Sequence, residues 1–148
     1  MVDSAPDDYR LSFDRSEVDI DAVHAFLTAS YWSPGISRER VARAVAGSLC
    51  VSAFAPSGAQ VGFARAVTDY ASFAYLADVY VVPEHGGRGL ARKMTQALLD
   101  HPEMQTIRRW MLATRDAHGV YEALGFHALE DPTKAMEYRP PRGQFPPA

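Results

Sequence analysis

The stretch Val79-Tyr80-Val81-Val82-Pro83-Glu84-His85-Gly86-Gly87-Arg88-Gly89-Leu90-Ala91 decides how the rest of the chain is read. Residues 73–82 are nearly all apolar, which predicts a long strand buried on both faces and therefore central in a sheet. Pro83 ends it, glycines follow at 86, 87 and 89, and Leu90, Met94, Ala97 and Leu98 then recur at helical spacing. Glycine lets the backbone turn sharply and come close to a ligand. The unpaired N–H groups of a first helical turn, together with the helix dipole, suit a phosphate or pyrophosphate. The plain alternative is a tight strand-to-helix turn that binds nothing.

Two other anion-binding loops do not fit. A P-loop requires Lys followed by Ser or Thr after its last glycine, and here Gly89 is followed by Leu90-Ala91. A dinucleotide fingerprint requires a third glycine where Gly87-Arg88-Gly89-Leu90-Ala91-Arg92 has arginine, and it follows a first strand rather than one in mid-chain.

Working outward, residues 9–14 predict a short strand, and Ser16 with Asp19 resembles a capping box ahead of a helix through Ile20, Val23 and Leu27. Tyr31-Trp32-Ser33-Pro34-Gly35 is a loop, and Ser37 caps a second helix that buries Val41, Ala44 and Val45. Residues 49–55 and 60–68 predict strands joined by a turn at 56–59. After the glycine loop and its helix, residues 107–114 predict a buried strand. Residues 116–124 predict a helix stopped by Gly125, and 126–129 and 134–138 two closing strands. The expected order is β-α-α-β-β-β-α-β-α-β-β. It forms a single mixed α/β domain over residues 1–148, with flexible tails at 1–8 and 140–148.

Composition bounds the function. The chain has 148 residues, 47% hydrophobic and 22% charged, as in soluble globular domains. A net charge of -3 argues against nucleic acid and is compatible with a cationic acceptor. Arg108-Arg109-Trp110 accordingly reads as a solvated strand edge. The single cysteine, Cys50, excludes an internal disulfide and sits in an apolar run, as a buried reduced thiol does. Neither a signal peptide nor a membrane-spanning run is visible, so a cytoplasmic location without membrane contact is expected. The histidines at 24, 85, 101, 118 and 127 lack metal-ligand spacing, and no metal is expected.

Gly86-Gly87-Arg88-Gly89-Leu90-Ala91 resembles the cofactor signature [QR]-x-x-G-x-[GA] of the GCN5-related N-acetyltransferase (GNAT) family. It matches at Gly89 and Ala91, with Gly86 where that family usually has Arg or Gln. Tyr121-Glu122-Ala123-Leu124-Gly125-Phe126 resembles the family's late Tyr-x-x-x-Gly-Phe, with Thr114 at a position often occupied by Asn. The resemblance spans about residues 9–139. It implies a fold of the α/β (α+β) class, GNAT-like and three-layered α/β/α, around a central, mostly antiparallel, splayed mixed sheet. It further implies acetyl-CoA as cosubstrate and transfer of its acetyl group to a primary amine, small or peptidic, by direct attack in a ternary complex. No enzyme nucleophile is then needed, and none is evident.

The same resemblance distributes the roles. The backbone of Val79 and Val81 would pair with the pantetheine arm, and an N–H there would stabilise an oxyanion. Gly86, Gly87, Arg88, Gly89, Leu90, Ala91 and Thr114 would hold the cofactor. Tyr121 would protonate the leaving thiolate, since a phenol's pKa near 10 suits that task. A carboxylate in an apolar strand must be paired or functional. Asp78 would therefore hold the acceptor ammonium or take its proton, or else form a structural salt bridge to an arginine. Strict alternation puts it on the face of Leu76 and Tyr80, opposite Val79. Tyr31, Trp32, Asp78, Tyr80 and Asp116 would line the acceptor site, with Asp69, Tyr70 and His118 near the same opening. A non-catalytic acyl-CoA-binding module and a cofactor-free interaction domain are the competing readings. An exposed final strand or helix pair leaves room for a homodimer.

Overall fold

The computed structural model describes residues 8–141. The expected tails at 1–8 and 140–148 fall largely outside that range. Five strands form one sheet in chain order: β1 (Arg10–Ser12), β2 (Leu49–Phe54), β3 (Gln60–Thr68), β4 (Phe73–Val81) and β5 (Arg109–Met111). The first four pair antiparallel, and β5 joins β4 in parallel. A parallel pair needs a long crossover, and α3 (Leu90–Asp100) supplies it. Helices α1 (Ile20–Thr28) and α2 (Arg38–Ala46) lie between β1 and β2 in sequence, and α4 (His118–Glu122) follows β5.

Two apolar clusters mark the two faces of the sheet. Val23 and Leu27 of α1 and Val41 and Val45 of α2 pack with Cys50, Phe63 and Tyr80. Leu90, Met94 and Leu98 of α3, spaced four apart, pack on the other face with Val51, Ala64, Ala74 and Leu76. Each of the Val, Leu, Met and Phe side chains among them contributes about 1.5–3 kcal/mol by leaving water. Gly62 sets how closely α3 approaches: a Cβ there would lie 3.1 Å from Met94 Cε and 3.2 Å from the Tyr80 carbonyl.

The local signals hold with adjusted boundaries. Asp19, rather than Ser16, caps α1 by accepting a hydrogen bond from the Ala22 N–H, while Asp14 caps the short 3-10 turn Arg15–Glu17. Ser37 caps α2 through the Arg40 N–H. The strand expected at 107–114 shortens to β5, and the helix expected at 116–124 to α4.

Two expectations fail. Residues 126–129 and 134–138 are not strands: they are irregular, interrupted by a 3-10 turn at Pro132–Lys134, and residues 127–141 are all solvent-exposed. A strand needs a partner ladder, and this segment is hydrogen bonded to none. The alternation along β4 also breaks. Ala64 of β3 faces both Asp78 and Val79, a β-bulge between the pairs Arg65↔Ala77 and Phe63↔Tyr80. Asp78 adopts φ 55°, the left-handed region that Asp tolerates better than most residues. The extra residue inverts facing, so Leu76 joins the α3 side while Tyr80 joins the α1/α2 side.

Candidate functional site

The β4–β5 ladder runs only from Phe73↔Arg109 to Tyr75↔Met111. Beyond it, residues 76–81 of β4 continue without β5 beside them, so the sheet opens toward the C-terminal ends of both strands. Val79 sits in the bulge and Val81 pairs with Gly62 on the β3 side, which leaves the other side of β4 bare among the described residues.

At that same end β4 passes into the glycine loop. The 3-10 turn Pro83–His85 is closed by the Gly86 N–H donating to the Pro83 carbonyl at 3.1 Å. Gly87 and Gly89 take φ of 77° and 75°, and a Cβ at either would meet nothing within 4 Å. The loop is thus open on its outer side. Gly89 leads into α3 without a side-chain cap, and a first helical turn has N–H groups with no intrahelical partner.

Tyr9, ahead of β1, pins the loop from below. Its hydroxyl lies 2.6 Å from His85 Nδ1, and the Arg88 guanidinium carbon sits 5.4 Å from its ring centroid. Sequence reasoning missed Tyr9 entirely, because no local pattern links residues 76 positions apart.

On the α1/α2 face, Asp78 is 8% exposed at its side chain and both its oxygens are engaged. Oδ1 accepts from Trp32 Nε1 at 2.9 Å, and Oδ2 accepts from Arg65 Nε at 2.6 Å. Arg65 also donates to the Ser48 hydroxyl at 3.0 Å. The alternative reading of Asp78 as an arginine salt bridge is the geometry observed. A lone arginine and a lone aspartate in adjacent apolar strands were the available signal. Tyr80 is 6% exposed, its ring stacked on Phe26 at 4.0 Å, and burial pushes its phenol pKa up. Cys50, in the same cluster, is pushed up to about 11 by burial, which leaves the thiol inert near neutrality.

Tyr31 packs edge-on against Trp32, and the Arg115 guanidinium carbon lies 3.7 Å from the Tyr31 ring centroid. Tyr121 of α4 is half-buried beside Phe126, and its pKa is raised by burial first and by nearby Tyr31 second. Thr114 accepts from the Ala117 N–H at 3.1 Å at the entry to α4. Asp116 is exposed, with Arg115 at 3.9 Å. Asp69 and Tyr70 lie elsewhere, in the β3–β4 turn at the start of β4, where Asp69 accepts from three backbone N–H groups. Among the described residues no group of His, Cys, Asp and Glu could hold a metal ion, and no helix is long and apolar enough to cross a membrane.

The sequence profile of the Acetyltransferase (GNAT) family matches residues 11–126. The chain belongs to the GNAT family. A candidate acetyltransferase of Gibberella zeae is 30% identical over 129 residues, covering 74% of this chain and 73% of its own. The crystal structure of a candidate acetyltransferase of the GNAT family from Xanthomonas campestris pv. campestris is 43% identical. It superposes with a TM-score of 0.85 over 90% of this chain and 94% of that one. A candidate acetyltransferase from Clostridium acetobutylicum, solved with acetyl-CoA, shares the fold at 17% identity and a TM-score of 0.66, over 88% of this chain and 94% of its own. The mixed, open, mostly antiparallel sheet of this GNAT chain is the architecture these relatives have.

Proposed function

We propose that this GNAT chain transfers an acetyl group from acetyl-CoA to a primary amine, the amine attacking directly within a ternary complex. One observation carries the reading: β4 is bare on its β5 side beyond Tyr75 and runs straight into the uncapped start of α3, and Tyr121 packs against the same apolar cluster as Val79 and Val81. Acetyl-CoA supplies the activated thioester. The fit rests on the loop's outer face, which is free of side chains at Gly87 and Gly89.

Within this proposal, backbone N–H groups of the loop (Gly86, Gly87, Arg88, Gly89, Leu90 and Ala91) bind the pyrophosphate, aided by the helix dipole. The backbone of Val79 and Val81 pairs with the pantetheine arm. Tyr121 donates a proton to the departing thiolate; its raised pKa keeps it protonated at neutral pH. Tyr31 and Trp32 form the aromatic wall on the acceptor side, with Asp116 and Arg115 at its rim. Asp78 acts as a positioning residue, because its oxygens already hold Trp32 and Arg65, and Tyr80 buttresses that wall through Phe26. The amine's proton leaves to water.

A second reading, an acyl-CoA-binding module without turnover, is favoured by Gly86, which offers no side chain to the loop. Calorimetric titration with acetyl-CoA, with NAD and ATP as controls, followed by thiol release across a panel of amines, separates the two. Selective binding with turnover supports the transferase. Binding without turnover on any amine supports the module, and absence of binding removes both.

A further inference from the structure

Tyr9 stands just ahead of β1, in the apolar cluster under α3, and is 6% exposed. Packing alone asks only for a ring there. A buried phenol also needs a partner for its hydroxyl. Tyr9 takes that partner from the glycine loop: His85 Nδ1 lies at 2.6 Å, with the two rings edge-on at 5.6 Å between centroids. The same ring carries the Arg88 guanidinium carbon 5.4 Å from its centroid, within the reach of a cation–π contact. One buried side chain thus touches the loop on both sides of Gly86 and Gly87.

A loop of this composition needs such an anchor. Glycine occupies positions 86, 87 and 89, and glycine loses more conformational freedom on being fixed than any other residue. A contact that fixes the loop beforehand removes that cost from ligand binding. Positive charge is equally sparse. Between Pro83 and Ala91 the single Lys or Arg is Arg88, and Gly86 offers no side chain. A guanidinium lying over a ring still donates N–H in its own plane, the geometry that suits a phosphate.

We propose that Tyr9 is a positioning residue for phosphate binding by the loop Pro83 to Ala91. Its hydroxyl sets His85 and its ring sets Arg88, so the loop is held in shape with its one cation in place before a ligand arrives. Tyr9 is buried and acts through these two residues rather than on the ligand itself. The role rests on the acetyl-CoA reading of the loop. It makes the approach to the first strand and the loop after β4 a single unit, joined across 76 positions of sequence.

Calorimetric titration with acetyl-CoA tests the role, with circular dichroism verifying the fold of each variant. The wild-type chain is titrated first. If it binds no acetyl-CoA, the acetyl-transfer reading fails and this role fails with it. In a chain that binds, Arg88→Gln should weaken acetyl-CoA about tenfold. Tyr9→Leu, which removes hydroxyl and ring, should also cost about tenfold, and Tyr9→Phe, which keeps the ring under Arg88, only about threefold. Coupling separates positioning from packing. On the Arg88→Gln background Tyr9→Leu should cost no more than about threefold, because the cation it holds is gone. Wild-type affinity in both Tyr9 variants would overturn the role. So would an undiminished cost of Tyr9→Leu on the Arg88→Gln background, the mark of a purely structural defect. Should Tyr9→Leu not fold, Tyr9→Phe decides: a loss of about threefold supports the role, and wild-type affinity overturns it.

Discussion

Two stretches of this chain, residues 9–111 and residues 112–141, follow different rules. In the first, each amphipathic element finds its complement within the same chain: α3 lays Leu90, Met94 and Leu98 on the sheet, and α1 and α2 cover the other face. In the second, α4 is five residues long, Tyr121 and Phe126 touch the body only partly, and all beyond is exposed. The difference teaches that the glycine-loop side of the candidate site is built by the packed half of the chain, whereas the side facing Tyr121 is left open.

The largest effect expected from this contrast is on stability. Leu98→Ala should cost about 3 kcal/mol in denaturant unfolding, since it empties a fully buried position under α3. A cost below about 1 kcal/mol would mean the packed half is softer than its burial implies. Asp78→Ala should cost about 3 kcal/mol as well, because Arg65, 18% exposed at its side chain, loses its counter-charge. It should also raise the amine KM and shift the fluorescence of Trp32 while leaving acetyl-CoA affinity alone. An unchanged amine KM would reduce Asp78 to a purely structural role.

Gly89→Glu comes next. Carboxylate charge beside the bound pyrophosphate, at a φ of 75° that suits glycine, should lower acetyl-CoA affinity on the order of 100-fold. Unaltered affinity in a folded variant would mean that the loop does not hold the pyrophosphate. Tyr121→Phe should lower kcat by about 100-fold and leave acetyl-CoA affinity nearly unchanged. The pH dependence follows from the sign of the shift. The folded-state pKa of Tyr121 lies above that of a free phenol, so its neutral form, and any stability tied to it, is fully present below about pH 10 and is lost only as pH rises through the higher folded value. An alkaline limb of kcat that starts well below pH 10 would point to another acid. The smallest effect belongs to the exposed segment 127–141. Leu129→Ala should change the unfolding free energy by less than about 0.5 kcal/mol, in contrast to Leu98→Ala.

Much of this was legible in the residues. Gly86, Gly87 and Gly89 between an apolar strand and a periodic helix are local facts, and a loop between adjacent elements is built from local facts. Ser37 as the cap of α2 is legible for the same reason. Asp78 was legible as an anomaly and as one half of an arginine pair, but not which arginine, since Arg65 lies on the neighbouring strand and pairing is not written in periodicity. Asp78 does share a face with Tyr80, opposite Val79, but Leu76 was wrongly placed with them, because alternation assumes an unbroken pleat. The bulge opposite Ala64 breaks it, and a bulge depends on how two strands meet. The closing strands were misread because residues 126–129 and 134–138 have strand composition, while a strand exists only where another backbone accepts its hydrogen bonds.

By itself, then, the sequence determined the order of the packed elements, the glycine loop at the start of α3, and the family to which those motifs point, all of which rest on interactions between near neighbours in the chain. Tertiary structure alone decided that Asp78 ties Trp32 to Arg65, that Tyr9 props His85, that β4 and β5 part after Tyr75, and that residues 127–141 are exposed and irregular rather than strands. Each of these depends on which distant surfaces meet, and that is set by the packing of the whole sheet rather than by any one stretch of it.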